Sequence, residues 1–147
     1  MSKKTRAAIL VVTTAGALAA ASPAIAAIRI SYIYYNPPGK DTLTNRQINN
    51  EYIRIHNSGT HSKAIGDWTI RDSNHHVYTF ASSYRLCAKC TVTVHTGRST
   101  DTRGKKYWGL RNYVWNNTGD TATLKNASGT RKDRCHYTGT STGHVRC

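Results

Sequence analysis

Cys87 and Cys90 stand three residues apart, and Cys135 and Cys147 follow far downstream. A Cys-x-x-Cys pair supports three chemistries. A redox dithiol wants its first sulfur at a helix N-terminus, where the thiolate is stabilised; here Thr91-Val92-Thr93-Val94 follows with the alternation of a strand. A zinc centre could draw on Cys87, Cys90, Cys135 and either Cys147 or His136, but the second half lacks the short ligand spacing of structural zinc sites. Two structural disulfides need only an oxidising compartment, and four cysteines allow three pairings. The disulfide reading is the simplest of the three.

Acid–base chemistry has fewer candidates. The chain has seven histidines: His56, His61, His75, His76, His95, His136 and His144. A small basic nuclease would need a general base and a general acid facing each other across a phosphate, together with a cation. No His-x-His pair occurs, and the adjacent His75 and His76 diverge in a turn. Glu51 is the only glutamate, and period-two alternation puts it on the opposite face from His56. Asp41, Asn45, Asn50 and Glu51 offer the hard oxygens that calcium prefers, but turn capping is the plainer role for such residues. No catalytic residue and no cofactor is assigned.

Charge is the stronger signal. The sequence carries 21 Lys and Arg against 7 Asp and Glu, a formal charge of +14. The excess is concentrated in two segments. Gly97–Arg111 holds Arg98, Arg103, Lys105, Lys106 and Arg111 against Asp101 alone. Lys125–Arg134 holds Lys125, Arg131, Lys132 and Arg134 against Asp133 alone. Tyr107, Trp108 and Tyr113 are interleaved with the first segment. Basic loops with aromatic neighbours suit phosphate neutralisation and base stacking without sequence readout. The plainer alternative is solvated loop charge that keeps the protein soluble.

The elements that must position these groups read as β structure. Ile53/Ile55 alternate with Arg54/His56, and Val92/Val94 with Thr91, Thr93 and His95. Trp68/Ile70 alternate with Thr69/Arg71, Tyr78/Phe80 with Val77/Thr79, and Ala122/Leu124 with Thr121/Thr123. No window of similar length fits a helical period. Turn chemistry separates the runs at Pro37-Pro38-Gly39, Asn57-Ser58-Gly59, Asp72-Ser73-Asn74, Asn117-Thr118-Gly119-Asp120 and Asn126-Ala127-Ser128-Gly129. Short alternating strands at this spacing predict an all-β antiparallel sandwich. The unpatterned stretches, Pro37–Asn50, Gly97–Lys106 and the tail after Tyr137, are predicted to be loops.

Residues 1–26 have the layout of a secretory leader: basic Lys3, Lys4 and Arg6, an apolar run from Ala7 to Ala21, then Ser22-Pro23-Ala24-Ile25-Ala26 with small residues before a cut. The run is shorter than the ~20 residues of a membrane span, so export without a span is expected. Removing Lys3, Lys4 and Arg6 with the leader leaves a mature 27–147 segment of 18 basic and 7 acidic side chains, or +11. That length suits one domain.

Five blocks then occur in a telling order. They are Asn50-Glu51-Tyr52-Ile53-Arg54-Ile55-His56-Asn57-Ser58-Gly59; Gly66-Asp67-Trp68-Thr69-Ile70-Arg71-Asp72; His76-Val77-Tyr78-Thr79-Phe80; Val92-Thr93-Val94-His95-Thr96-Gly97 with Tyr107-Trp108-Gly109; and Val114-Trp115-Asn116-Asn117-Thr118-Gly119-Asp120-Thr121-Ala122-Thr123-Leu124. Gly129 and Asp133 close the series. From about Ile28 to Tyr137 the chain resembles the lamin-tail domain family, in particular its free-standing secreted bacterial members.

The resemblance implies an immunoglobulin-like antiparallel β-sandwich without enzymatic machinery, acting as a binding or tethering module. It also implies that Tyr107, Trp108, Val114 and Trp115 belong mainly to the fold. Two departures stand out: Cys87-Ala88-Lys89-Cys90 replaces a turn that usually carries Gly or Pro, and Asn74-His75 replaces the usual glycine after Asp72. Among the three pairings, Cys87–Cys90 across that turn and Cys135–Cys147 at the tail are favoured, the second because secreted relatives often carry it. The expected partner is a nucleic acid or other polyanion outside the cell, bound through the two basic segments. A histidine-based nuclease and an immunoglobulin-like protein-binding module are the alternatives.

Overall fold

Period-two burial runs through the strands of the computed structural model, which describes residues 27–147; the expected leader, residues 1–26, lies outside the described residues. One sheet holds five strands in the spatial order β11 (His144–Arg146), β1 (Ile28–Tyr34), β2 (Tyr52–Asn57), β7 (Thr91–His95) and β8 (Lys105–Tyr107). A second holds β10 (Arg131–Thr138), β9 (Gly119–Lys125), β4 (Thr69–Arg71) and β5 (Val77–Thr79). A two-stranded ribbon pairs β3 (Lys63–Ala64) with β6 (Arg85–Leu86). A single helical turn, α1 (Asn45–Ile48), is capped by the Thr44 hydroxyl.

The two larger sheets bury their facing sides against each other. Ile30, Ile33, Ile53, Ile55, Val92 and Val94 come from the five-stranded sheet; Ile70, Tyr78, Ala122, Leu124, Cys135 and Tyr137 come from the four-stranded one. Every inward residue read from alternation in β2, β4, β5, β7 and β9 is buried. Burying each such isoleucine contributes about 1.5–3 kcal/mol. This is the immunoglobulin-like β-sandwich expected from the sequence, antiparallel except that β8 runs parallel to β7.

Two stretches expected as loops contain strands. Lys105 begins β8 inside the Gly97–Lys106 stretch, with Thr93 opposite it. The tail after Tyr137 turns at Gly143 and returns as β11 along β1. Gly143 has a positive φ of 67°, and its carbonyl accepts the N–H groups of both Tyr35 and Asn36. A Cβ there would lie 2.1 Å from the Asn36 oxygen, so only glycine fits. Three residues show too little alternation to be read as a strand; the partner and the tether make this one. That tether is the Cys135–Cys147 disulfide, and Cys87–Cys90 closes the β6–β7 turn. In that turn Lys89 takes a left-handed conformation, as His75 does after Asp72. Both sit where glycine is the easier residue.

Candidate functional site

Each carboxylate accepts a hydrogen bond from another part of the fold. Glu51 is fully buried, and its carboxylate accepts Trp115 N–H at 2.5 Å and Val114 N–H at 3.0 Å. Asp120, also buried, accepts N–H groups from Ser73, Asn116 and Thr121. Asp72 accepts the backbone N–H of His76 at 2.7 Å and its ring Nδ1 at 2.6 Å. Asp133 reaches the Ile30 N–H at 2.7 Å, and Asp101 takes the Tyr107 N–H at 3.0 Å. Asp41, Asn45, Asn50 and Glu51 go to separate partners rather than to one centre: Asn117, Arg98, Gln47, and the Val114–Trp115 backbone respectively.

Burial pushes Glu51 up to about 8, against the pull of the Val114 and Trp115 N–H donors. The folded protein then holds a proton that the unfolded chain releases near 4.5. The contribution of Glu51 to folding stability should therefore be fully present below that value and fall, by up to about 1.4 kcal/mol per pH unit, until the folded group titrates. Urea titrations from about pH 5 to pH 8 should show this decline in the native protein and a flatter profile in Glu51→Gln.

Glu51, Asp72 and Asp120 are buried, whereas Asp41, Asp67 and Asp101 are exposed; the cations are nonetheless left largely unpaired. Among the described residues, Lys106 is the only Lys or Arg that forms a salt bridge with a carboxylate, 3.5 Å from Asp101. Register explains why. Lys106 lies opposite the inward Val94, so its side chain, 12% exposed, folds over the Tyr84 ring at 4.7 Å. Lys105 lies opposite Thr93 and points outward, exposed. Arg98 is exposed, but its Nε donates to the Gly109 carbonyl at 3.0 Å and its backbone is clamped by Asn45 and Asn49. Arg103 and Arg111 are exposed. Of the interleaved aromatics, Tyr107 faces outward against His95, Trp108 packs against Trp115 and Tyr78, and Tyr113 donates to the Thr42 carbonyl.

The second basic segment lies on the other sheet, so the two segments form separate surfaces. Lys125 and Arg134 join Arg71, which stands outside both basic segments of the sequence, around a cleft of about 410 Å³. Arg71, Thr123 and Arg134 sit side by side across β4, β9 and β10, and Lys125 lies directly opposite Arg131. Like charges directly opposed across strands cost about 0.2–1 kcal/mol, a cost that an anionic ligand would reverse. Asp72, held by His76, lines the cleft as well, and His75 and the hydroxyls of Ser73, Thr121 and Thr123 complete the lining. Lys132 lies apart, beside Lys63 and Trp68.

A further cationic surface takes Lys105 and Tyr107 from the first segment and its other groups from outside both segments expected from sequence: the outer face of the five-stranded sheet. One row across it is Arg146, Tyr32, Arg54, Thr93 and Lys105; the next is His144, Tyr34, Tyr52, His95 and Tyr107. Arg54 lies over the Tyr32 and Tyr52 rings, 5.3 and 4.9 Å from their centroids. The His95 Nδ1 donates to the Asn49 carbonyl at 2.7 Å, since a carbonyl oxygen can only accept. Burial holds the His95 pKa below the usual imidazole range, and Lys105 and Arg54 push the same way. Other histidines have local partners: His56 with Thr91, His136 with Thr121, and His144 with the Thr142 carbonyl.

No helix among the described residues is long and apolar enough to cross a membrane. A comparison with curated proteins finds no match. The family model for the lamin tail domain matches residues 21–139, which includes all of β1 through β10 but not β11 or Cys147. With that match covering most of the sequence, and a sandwich of the expected kind beneath it, the chain belongs to the lamin tail domain family.

Proposed function

We propose that the protein is an exported, non-catalytic module that holds an anionic polymer against its cationic faces. The observation that carries this reading is the division of charge. All seven carboxylates are engaged in hydrogen bonds within the fold, whereas Arg71, Lys125, Arg134, Arg54, Arg146 and Lys105 meet solvent without acidic partners. Export is supported by the leader-like residues 1–26 and by two disulfides, because such bonds persist in oxidising compartments.

Titration of duplex DNA across a salt series tests the reading, with the same samples followed for cleavage. Affinity should fall by about 0.9 log unit per log unit of salt for each phosphate neutralised. Lys105→Gln should flatten that slope by about one contact, while the inward Lys106→Gln should leave it unaltered. Absence of binding to DNA and polyphosphate at low salt would overturn the reading and turn attention to protein partners. Cleavage lost on substituting a histidine would favour the nuclease alternative.

A further inference from the structure

The outer face of the five-stranded sheet places two chemistries in register. One row is aromatic on all five strands: His144, Tyr34, Tyr52, His95 and Tyr107. Neighbouring rings touch along it, Tyr34–Tyr52 at 5.5 Å, Tyr52–His95 at 5.6 Å and His95–Tyr107 at 5.2 Å. The adjacent row supplies Arg146, Arg54 and Lys105, with Tyr32 and Thr93 between them. Neither row contains an acidic residue. Rows two residues apart along a strand are separated by about 6.5–7 Å, and strands by about 4.8 Å, so the ring row extends about 19 Å.

From this arrangement we infer that the face binds single-stranded nucleic acid, with bases against the ring row and phosphates along the cation row. The inference rests on the polyanion reading and deepens it. A duplex hides its base faces, whereas an unpaired strand offers both planar rings and charge. The surface is already set for such a ligand. Arg54 is stacked on two tyrosines, and the rings hold one another in edge and stacked contacts, so little side-chain freedom remains to be lost on binding. Two recesses flank the tyrosines, each larger than a nucleobase. One, of about 380 Å³, is walled by Tyr32, Arg54 and Arg146. The other, of about 320 Å³, is walled by Tyr34, Tyr52 and His95. A neutral glycan would need the rings but not the cations; a simple polyanion would need the cations but not the rings.

The test is fluorescence anisotropy on the oxidised protein at low salt with three probes of equal length: oligothymidylate of about fifteen nucleotides, its abasic counterpart, and a duplex. Oligothymidylate should bind about tenfold or more tighter than the abasic chain, and Tyr34→Leu combined with Tyr52→Leu should erase that preference. Should that variant melt early, ultraviolet cross-linking of the unaltered protein to bromodeoxyuridine-substituted strand replaces it. Cross-links on Tyr32, Tyr34 or Tyr52 support the proposal; cross-links confined to the Arg71–Lys125 face overturn it. Equal affinity for thymidylate and abasic chains would overturn the stacking proposal and leave the polyanion reading standing. No binding of any probe would remove both. A polyuronate that displaces oligothymidylate and depends on the same tyrosines would assign the face to an anionic glycan instead.

Discussion

Glu51→Ala is expected to destabilise the protein by about 3–6 kcal/mol, because two buried N–H groups lose their acceptor at about 1–3 kcal/mol each and a cavity is left behind. Val114 and Trp115 are themselves nearly inaccessible, so water cannot readily replace the lost carboxyl. A domain with a total stability of about 5–15 kcal/mol would be brought close to unfolding. Glu51→Gln is the neutral isostere of the protonated acid and keeps one strong acceptor, so it should cost far less at neutral pH. Urea unfolding of the three proteins checks the order. A loss under about 1 kcal/mol in the alanine variant would show that the Val114–Trp115 backbone finds other partners.

Replacing Cys135 and Cys147 by serine is expected to cost about 3 kcal/mol by the chain-entropy estimate for a loop of this length, and to weaken ligand binding as well. The bridge spans 12 positions and fastens β11 beside β1. Without it, β11 is held by its pairing with Tyr32, Ile33 and Tyr34, the residue-147 N–H to the Ser31 carbonyl, the Gly143 contacts to Tyr35 and Asn36, the His144 ring against Tyr32 and Tyr34 and the packing of Val145 on the core. Arg146 and His144 would leave the outer face as the strand frays. Melting temperature and oligothymidylate affinity should therefore fall together in this variant. In a Cys87→Ser/Cys90→Ser variant, affinity should hold, since that bridge closes only a tight turn at the Asn57 end of β2, away from β11. A stable Cys135→Ser/Cys147→Ser variant with unchanged affinity would show that β11 docks without its tether.

Alternation made most of the core legible from sequence: Ile53/Ile55, Val92/Val94 and Ala122/Leu124 all point inward as read. β1 is not legible in the same way, and its geometry explains why. Ile28 and Ile30 are buried, but so is Ile33, an odd number of residues further on. A register shift between Ile30 and Tyr32 leaves Ser31 as the extra residue and resets the parity. Tyr32 and Tyr34 consequently face outward together, which a strict period of two does not reveal. The same difficulty affects the cations. Lys105 and Lys106 are equivalent as letters, and only the pairing with β7 turns one to solvent and the other onto Tyr84. The rings of the outer face come from five strands distant in the chain, so their adjacency is a property of the sheet order alone.

The short strand β11 also governs how the molecule behaves towards copies of itself. β1 is seven residues long and rich in Ile and Tyr, Ile28-Arg29-Ile30-Ser31-Tyr32-Ile33-Tyr34. On its far side its polar backbone is covered by β11, by the Cys147 N–H, which donates to the Ser31 carbonyl, and by Asp133, which accepts the Ile30 N–H. Stripped of that cover, it would be an apolar edge with unpaired N–H and C=O groups, a template for intermolecular strand addition. The Cys135–Cys147 bridge is therefore expected to guard β1 against self-association. Under reducing conditions the chain should polymerise through β1, with light scattering rising well before the core unfolds.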